Sequence, residues 1–223
     1  MGWPKALVLV RHAESEGNVL SVDDRAAFEK STKDYALTPR GREQARLTGE
    51  YLRKIYGTFD VYYTSYYERA KETMHIMFPD AKVYEDPRLR EGERGIWHMM
   101  THAEIERAYP NETVRKERDG LYHYRPYGGE NWPDIELRIH SFLGTLARDY
   151  TDQNVLVVVH GHWLILFQRL VERFSIDEAV RRYHEAVTAN ASVTVYLGSA
   201  KHLVFFNEAC LTPWEGKLPP EAV

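Results

Sequence analysis

Two short apolar runs in this chain end in histidine. Leu7-Val8-Leu9-Val10 stops at Arg11-His12, followed by Ala13-Glu14-Ser15-Glu16-Gly17-Asn18. Asn154-Val155-Leu156-Val157-Val158-Val159 stops at His160-Gly161-His162. A guanidinium beside an imidazole at a strand end can clamp a phosphate next to a nucleophile. A second arginine, Arg69, lies in Ser65-Tyr66-Tyr67-Glu68-Arg69-Ala70-Lys71-Glu72-Thr73, at the expected start of a helix, where backbone amides also favour anions. Plainer readings compete at each place. Arg11-His12 can be a solvated pair, and Arg69 a helix-surface residue paired with Glu68 or Glu72. His160-Gly161-His162 can be read as two metal ligands, although no third ligand lies nearby in sequence.

These groups act together only if the chain brings them to one place. The Leu/Val runs read as strands buried on both faces of a parallel sheet, and such sheets bind ligands beyond the carboxyl ends of their strands. Asp60-Val61-Tyr62-Tyr63-Thr64-Ser65 reads as a second strand and Lys82 to Tyr84 as a third. Val19 to Tyr35 reads as a charged, flexible segment near the site mouth. Thr38 is the expected N-cap of a helix with Pro39 at its first position, its apolar Ala45, Leu47, Leu52 and Ile55 following before the stop at Gly57. Further helices are expected over Glu68 to Phe78, over Asn131 to Asp149 (apolar Ile135, Leu137, Ile139, Phe142, Leu143 and Leu146), over Trp163 to Phe174 and over Asp177 to His184. Ser192 to Leu197 and His202 to Phe206 close the chain as a hairpin around Gly198-Ser199. Strands alternating with helices predict an α/β fold, a three-layer αβα sandwich. Its sheet is expected to be mostly parallel with a closing antiparallel edge hairpin. Asp86 to Tyr127, rich in charge, Gly and Pro, reads as irregular apart from one helix at Ala103 to Tyr109. It is too small for its own core, so a single domain over 1–223 with a cap insertion at about 86–130 is expected.

Composition narrows the partners. A net charge of -4 over 223 residues gives no support for a nucleic-acid surface. The single cysteine, Cys210, excludes an internal disulfide and fits a reducing compartment. Five apolar residues before Arg11 are too few for a signal-peptide core, and no apolar run approaches the length of a membrane span. The expectation is a cytoplasmic protein without a membrane partner. Most of the fifteen Tyr and five Trp are expected to serve packing.

The motifs in their order resemble the histidine phosphatase superfamily, also called phosphoglycerate-mutase-like. Arg11 to Asn18 is similar to its R-H-G-E-S-x-x-N signature, with Ala13 at the usual glycine. Leu37-Thr38-Pro39-Arg40-Gly41-Arg42-Glu43-Gln44-Ala45 is similar to L-T-x-x-G-x-x-Q-A, Ser65 to Thr73 to S-x-x-x-R-A-x-x-T, and Val159-His160-Gly161 to the late V-x-H-G segment. The likeness runs over roughly residues 5 to 206. It implies that His12 takes the phosphoryl group as a phosphohistidine, and that Arg11, Arg69 and His160 surround the phosphoryl oxygens. Asn18 would donate to the same oxygens, with Ser15, Gly161 and His162 in the binding set. Glu91, rather than its neighbours Glu85 and Glu93, would protonate the leaving oxygen and then activate water. No metal and no cofactor are implied, since the cationic side chains supply the charge that Mg²⁺ supplies elsewhere.

A phosphatase and a mutase can share this centre. Gly95-Ile96-Trp97-His98-Met99 lacks the aromatic-Gly-Gly segment of the mutases, and Arg115-Lys116-Glu117-Arg118 matches their Arg-Arg pair only loosely. His98 and Met99 also break the G-x-W-E-G pattern of broad phosphatases, whereas Gly128-Gly129-Glu130-Asn131 is similar to the G-G-E-S turn of phosphatase-like members. The reading is a metal-independent phosphatase for small phosphate monoesters. The alternatives are a cofactor-dependent phosphoglycerate mutase and a non-catalytic phospho-ligand or protein-binding module. Inorganic phosphate is the other expected ligand, and a homodimer is among the assemblies the resemblance allows. Cap residues Arg90, Arg94, Arg107, Arg115, Lys116, Arg118 and Arg125 either meet an anionic substrate or face solvent. Tyr122, Tyr124, Tyr127 and Trp132 either stack on a substrate or pack the cap.

Overall fold

The computed structural model describes residues 2–21, 24–25, 30–185, 188–198 and 202–206. Among them, six strands form one sheet in the order β3-β2-β4-β1-β5-β6. These are β1 (Ala6–Arg11), β2 (Val61–Thr64), β3 (Val83–Glu85), β4 (Asn154–Val159), β5 (Val193–Leu197) and β6 (His202–Phe206). β1, β2, β3 and β4 run parallel, and β5 and β6 add the antiparallel edge. The expected hairpin is therefore present, while Ser199 in its turn and Cys210 lie outside the described residues.

Alternation along β1 assigns the two faces, because successive strand side chains point to opposite sides. Leu7 and Leu9 join Val155, Val157 and Val159 under the helices α7 (Trp132–Asp149), α8 (Gly161–Glu172) and α9 (Ile176–Glu185). Val8 and Val10 join Tyr62, Leu156 and Val158 under α2 (Pro39–Tyr56) and α3 (Glu68–Met77). Helices on both faces of the sheet make the three layers. In α7 the apolar stripe is Trp132, Ile135, Ile139, Phe142 and Leu146. Leu137, counted with that stripe from sequence, is 70% exposed. Its place two residues from both Ile135 and Ile139 turns it to the opposite side of a 3.6-residue helix.

Capping fixes the ends of α2 as the sequence predicts. The Thr38 side chain accepts from the Gly41 amide at 3.0 Å, Pro39 opens the helix, and Gly57 closes it at φ 66°, a conformation glycine adopts without penalty.

Between β3 and α7 the chain is more regular than its composition indicates. A short α1 (Glu16–Val19) precedes α2, and α4 (Ile96–Met99), α5 (His102–Ala108) and α6 (Glu112–His123) fill the region expected to hold one helix. α6 escapes a hydrophobic reading because the side chain it buries is a carboxylate. Glu112 is 1% exposed, accepts from the Tyr124 hydroxyl, and pairs with Arg115 at 2.8 Å. Gly120, at φ 67°, interrupts the helical backbone inside it.

One contact joins the fold to the site. The start of α2 packs on the loop after His12: Thr38 bonds the Glu14 carboxylate at 2.7 Å, and Gln44 accepts from the Glu14 amide at 2.8 Å. A Cβ on Gly41 would stand 1.9 Å from the Glu14 carbonyl oxygen, whereas one on Gly144 in α7 meets nothing within 4 Å. In urea denaturation, Gly41→Ala is expected to destabilise the protein by about 1–3 kcal/mol, as overpacking does. Gly144→Ala is expected to stabilise it by about 0.5–1 kcal/mol. Equal effects of the two substitutions would refute the tight contact at Gly41.

Candidate active site

β1 and β4 are adjacent and parallel, with Arg11 opposite Val159. Parallel pairing in this register places the residues that follow, His12 and His160, side by side at the carboxyl edge. The His12 amide donates to the Val159 carbonyl at 2.9 Å, and the two imidazole centroids are 5.1 Å apart. From the other side, the Asn190 side chain donates to the His12 carbonyl at 3.0 Å, and an Arg11 terminal nitrogen donates to the Thr188 carbonyl.

Hydrogen bonds define the state of each ring. His12 Nδ1 lies 2.8 Å from the Ala13 carbonyl, which only accepts, so Nδ1 carries the proton. Nε2 is then the lone-pair nitrogen, and Arg69 Nε donates to it at 3.1 Å. His160 Nε2 lies 2.8 Å from the Ser65 hydroxyl, whose oxygen also accepts from the Tyr67 amide at 3.3 Å. Either Nε2 or the Ser65 hydroxyl supplies the proton of that contact, and His160 Nδ1 is the second ring nitrogen. That Nδ1 is buried and has no hydrogen-bond partner among the described residues, and neither has Arg11 Nε. Arg11 Nε is a donor without an acceptor among the described residues, which is costly unless an anion arrives, and His160 Nδ1 stands unpartnered with it.

The same residues explain the sequence spacing. In Ser65 to Thr73, Ser65 holds His160, Arg69 holds His12, and the Thr73 hydroxyl accepts from the Ala13 amide at 3.0 Å. Arg69 is 7% exposed and pairs with neither Glu68 nor Glu72, which engage Lys71 and Arg42. The surface reading of Arg69 is thereby excluded. Its guanidinium lies over the Tyr67 ring and donates to the Thr32 carbonyl at 2.7 Å.

Arg11, His12, Asn18, Arg69 and Glu91 line one cavity of about 160 Å³. Asn18 keeps its amide nitrogen for a ligand, since its oxygen accepts from the Ser15 amide and hydroxyl, both at 2.9 Å. The Ser15 hydroxyl is thus committed to Asn18. Gly161 leaves room for Arg11: a Cβ there would sit 3.3 Å from Arg11 Nε. The His162 ring lies apart from these groups, against Trp132 and Tyr183, with centroids 4.8 and 5.2 Å away. Glu93 pairs with His98 at 3.4 Å, and Glu85 sits in edge strand β3, so the carboxyl that reaches the cavity is Glu91.

Glu91 caps a helix from outside it. Its carboxylate accepts from the His162 and Trp163 amides at the start of α8, both at 3.3 Å, and from the Gly92 amide at 3.0 Å. Its own segment is clamped by Arg138 of α7, which donates to the carbonyls of Arg88, Arg90 and Glu91 at 2.9, 2.8 and 3.2 Å. Arg138, Ser65, Thr73, Thr188 and Asn190 were not singled out as site residues from sequence. Ser65 and Thr73 did stand in a recognised motif, whereas Arg138 looks like any helix arginine until the loop it binds is placed.

Electrostatics follow from burial and from the unpaired cations. Burial first, and then Arg69 and Arg11, hold His12 well below the ordinary imidazole value, and burial with Arg69 does the same to His160. Burial lowers Arg69 to about 10 and His162 to about 4. For Glu91, burial acts upward but is outweighed by His162, the Gly92 amide, Arg69 and the His162 amide, so the carboxyl sits below its usual range. Because His162 is neutral at pH 7, the amides and Arg69 are what keep Glu91 ionised there.

Two buried imidazoles, His12 and His160, and the half-buried His162, all with depressed values, make stability depend on pH in one direction. The unfolded chain takes up protons as pH falls through about 6.5, while the folded chain keeps these rings neutral. Stability is therefore complete above that value and declines below it, by at most about 1.4 kcal/mol per pH unit for each ring. Urea midpoints measured from pH 7.5 to 5 are expected to fall, and to fall less steeply in His162→Phe. A midpoint independent of pH over that interval would contradict neutral burial.

Known proteins share the sequence pattern and the fold of this chain. The sequence model of the histidine phosphatase superfamily (branch 1) matches residues 7–209. A 2,3-bisphosphoglycerate-dependent phosphoglycerate mutase 2 of Gloeobacter violaceus is 34% identical over 163 residues, covering 70% of each chain. Among solved structures, Bacillus stearothermophilus YhfR superposes with a TM-score of 0.69 at 28% identity, over 85% of this chain and 89% of that one. A mycobacterial glucosyl-3-phosphoglycerate phosphatase in complex with VO3 superposes at 0.64 with 25% identity, over 86% and 90%. The chain belongs to branch 1 of the histidine phosphatase superfamily.

Proposed function

We propose that this protein is a metal-independent phosphatase that hydrolyses small phosphate monoesters through a phosphohistidine on His12. The observation that carries the reading is the pairing of a lone-pair His12 Nε2 with Arg11 Nε, a donor that lacks an acceptor among the described residues, beside the unpartnered His160 Nδ1. In the first step Nε2 forms a bond to phosphorus while the ester P–O bond breaks. Arg11, Arg69, His160 and Asn18 hold the phosphoryl oxygens and offset the charge that builds on them. Glu91 gives a proton to the leaving oxygen. The unliganded carboxyl is ionised, but a phosphoryl group brings negative charge against it and occupies Arg69, which raises its affinity for a proton. In the second step Glu91 takes a proton from water, the water oxygen bonds phosphorus, and the P–N bond breaks to release inorganic phosphate.

Residues 86–130 serve in this reading as a cap over the site, within one domain. The single cysteine and net charge of -4 fit a cytoplasmic enzyme acting on a small substrate rather than on nucleic acid. No described helix is long and apolar enough to cross a membrane.

A mutase is the second reading, favoured by the Gloeobacter relative. Against it stands the stretch that loosely matches the Arg-Arg pair of mutases. Arg115 is taken by Glu112 and by the Arg125 carbonyl, and Arg118 by Asp119 with its side chain 70% exposed. The deciding assay supplies 3-phosphoglycerate with catalytic 2,3-bisphosphoglycerate. Release of inorganic phosphate is expected, whereas formation of 2-phosphoglycerate without it would establish the mutase.

Two substitutions test the roles. His12→Ala is expected to abolish phosphate release in the presence of EDTA, and turnover surviving in that variant would overturn the mechanism. Glu91→Gln is expected to lower kcat by roughly 10²–10⁴ for alkyl esters. The loss should be far smaller for 4-nitrophenyl phosphate, whose leaving oxygen needs no proton. Equal losses on both ester types would remove Glu91 as the acid.

A further inference from the structure

A second cavity, of about 230 Å³, adjoins the one that holds His12. The stretch from Glu91 to Arg94 divides them: Glu91 lines the first, Gly92 and Glu93 the second, and Arg94 both. The second cavity is walled by Trp97, Leu121, Tyr124, Trp132, His162 and Tyr183. Polar atoms in these walls are mostly satisfied by one another. Trp97 Nε1 donates to the Tyr124 hydroxyl at 2.7 Å, the Tyr183 hydroxyl accepts from Arg94 at 3.0 Å, and Glu130 is held by Arg90 and Arg138 at 2.6 and 3.0 Å. What remains for a ligand is largely ring surface with the Leu121, Pro126 and Ile135 side chains, together with the Lys116 ammonium and the His102 imidazole, both lying against the Trp97 ring. Deeper in the wall, His162 Nε2 is buried without a partner among the described residues and offers an entering group a hydrogen bond. Gly92 keeps the wall open, since a Cβ there would stand 2.8 Å from Ile135 Cδ1 and 3.1 Å from His162 Nδ1.

We propose that this cavity receives the alcohol part of the substrate, and that the substrates are phosphate monoesters of alcohols carrying one aromatic ring. An apolar cavity of about 150 Å³ is enough for benzene, so this one holds a ring with a short linker or substituent. The placement of Glu91 supports the assignment. With the phosphoryl group beside His12 and the ring beyond Gly92, the bridging oxygen falls at the divide, next to the carboxyl that must protonate it. Ring-on-ring contact with Trp132 and Tyr183 then adds edge-to-face attraction to burial. This inference rests on the phosphatase reading above.

The test compares phosphate release by the native protein from 2-phenylethyl phosphate and from ethyl phosphate, two esters whose alcohols leave with similar difficulty. Burial of the phenyl ring is expected to raise kcat/KM for the first by about 30-fold. Filling the cavity with Leu121→Trp, or removing a wall with Trp97→Ala, is expected to lower that ratio by about tenfold. Two variants are used because one alone can fail to fold. Native ratios within about threefold of unity, or a ratio unchanged in both variants, would overturn the aromatic subsite alone. No release from either ester would overturn the phosphatase reading, and the subsite with it.

Discussion

Parallel pairing of β1 with β4 is the constraint on which the site depends. The two strands share the register that sets Arg11 opposite Val159, and the first residue beyond each strand is a histidine. No flexible loop has to find the geometry, because the sheet hydrogen bonds hold both ring-bearing backbones before any ligand is present. The neighbours on either side complete the brace. β2 contributes Ser65 and, through α3, Arg69, while the loop before β5 contributes the Thr188 carbonyl and Asn190. Three of the four motifs follow strand ends at this edge, and the fourth, Leu37 to Ala45, opens α2 against the loop after His12.

That arrangement concentrates positive charge where water is scarce. Arg69 is buried and Arg11 half-buried against two neutral imidazoles, and the carboxyl that faces them, Glu91, is itself held by backbone amides. Preorganised charge of this kind costs stability in the empty protein and is offset when an anion enters. The core on both sides of the sheet supplies the rigidity that keeps these cations from relaxing away from one another.

Much of the fold was legible because Leu and Val runs ending at charged residues leave few other choices, and because Thr38, Pro39 and Gly57 mark their helix through local chemistry. That Arg11-His12 and His160 can share an edge followed from the two strand ends, whereas Arg69 joined them through the resemblance carried by the ordered motifs. What escaped was whatever depends on a polar group buried by tertiary structure. α6 is organised on the Glu112 carboxylate, so a search for apolar periodicity passes over it. Arg138 has its role only because three carbonyls 47 to 50 residues earlier fold back onto it. Glu91 as a cap for α8 links a loop to a helix 70 residues on, and neither segment alone signals the contact.

The neck of the segment between β3 and α7 has a further meaning. Arg94 and Gly129 form an antiparallel bridge, and the Glu130 amide donates to the Glu93 carbonyl at 2.8 Å. Residues 94–129 therefore leave and re-enter the body of the protein at one point, just past the Arg138 clamp on Glu91. Once its ends are pinned together, a loop gains or loses residues at an entropic cost that grows only with the logarithm of its length. His12 and Glu91 are thus held separately from Trp97, Leu121 and Tyr124, the part of the second cavity's wall that this loop supplies. Insertions, deletions or wholesale exchange of 94–129 can reshape that part of the wall while His12, Arg69 and Glu91 stay where the sheet and α7 put them.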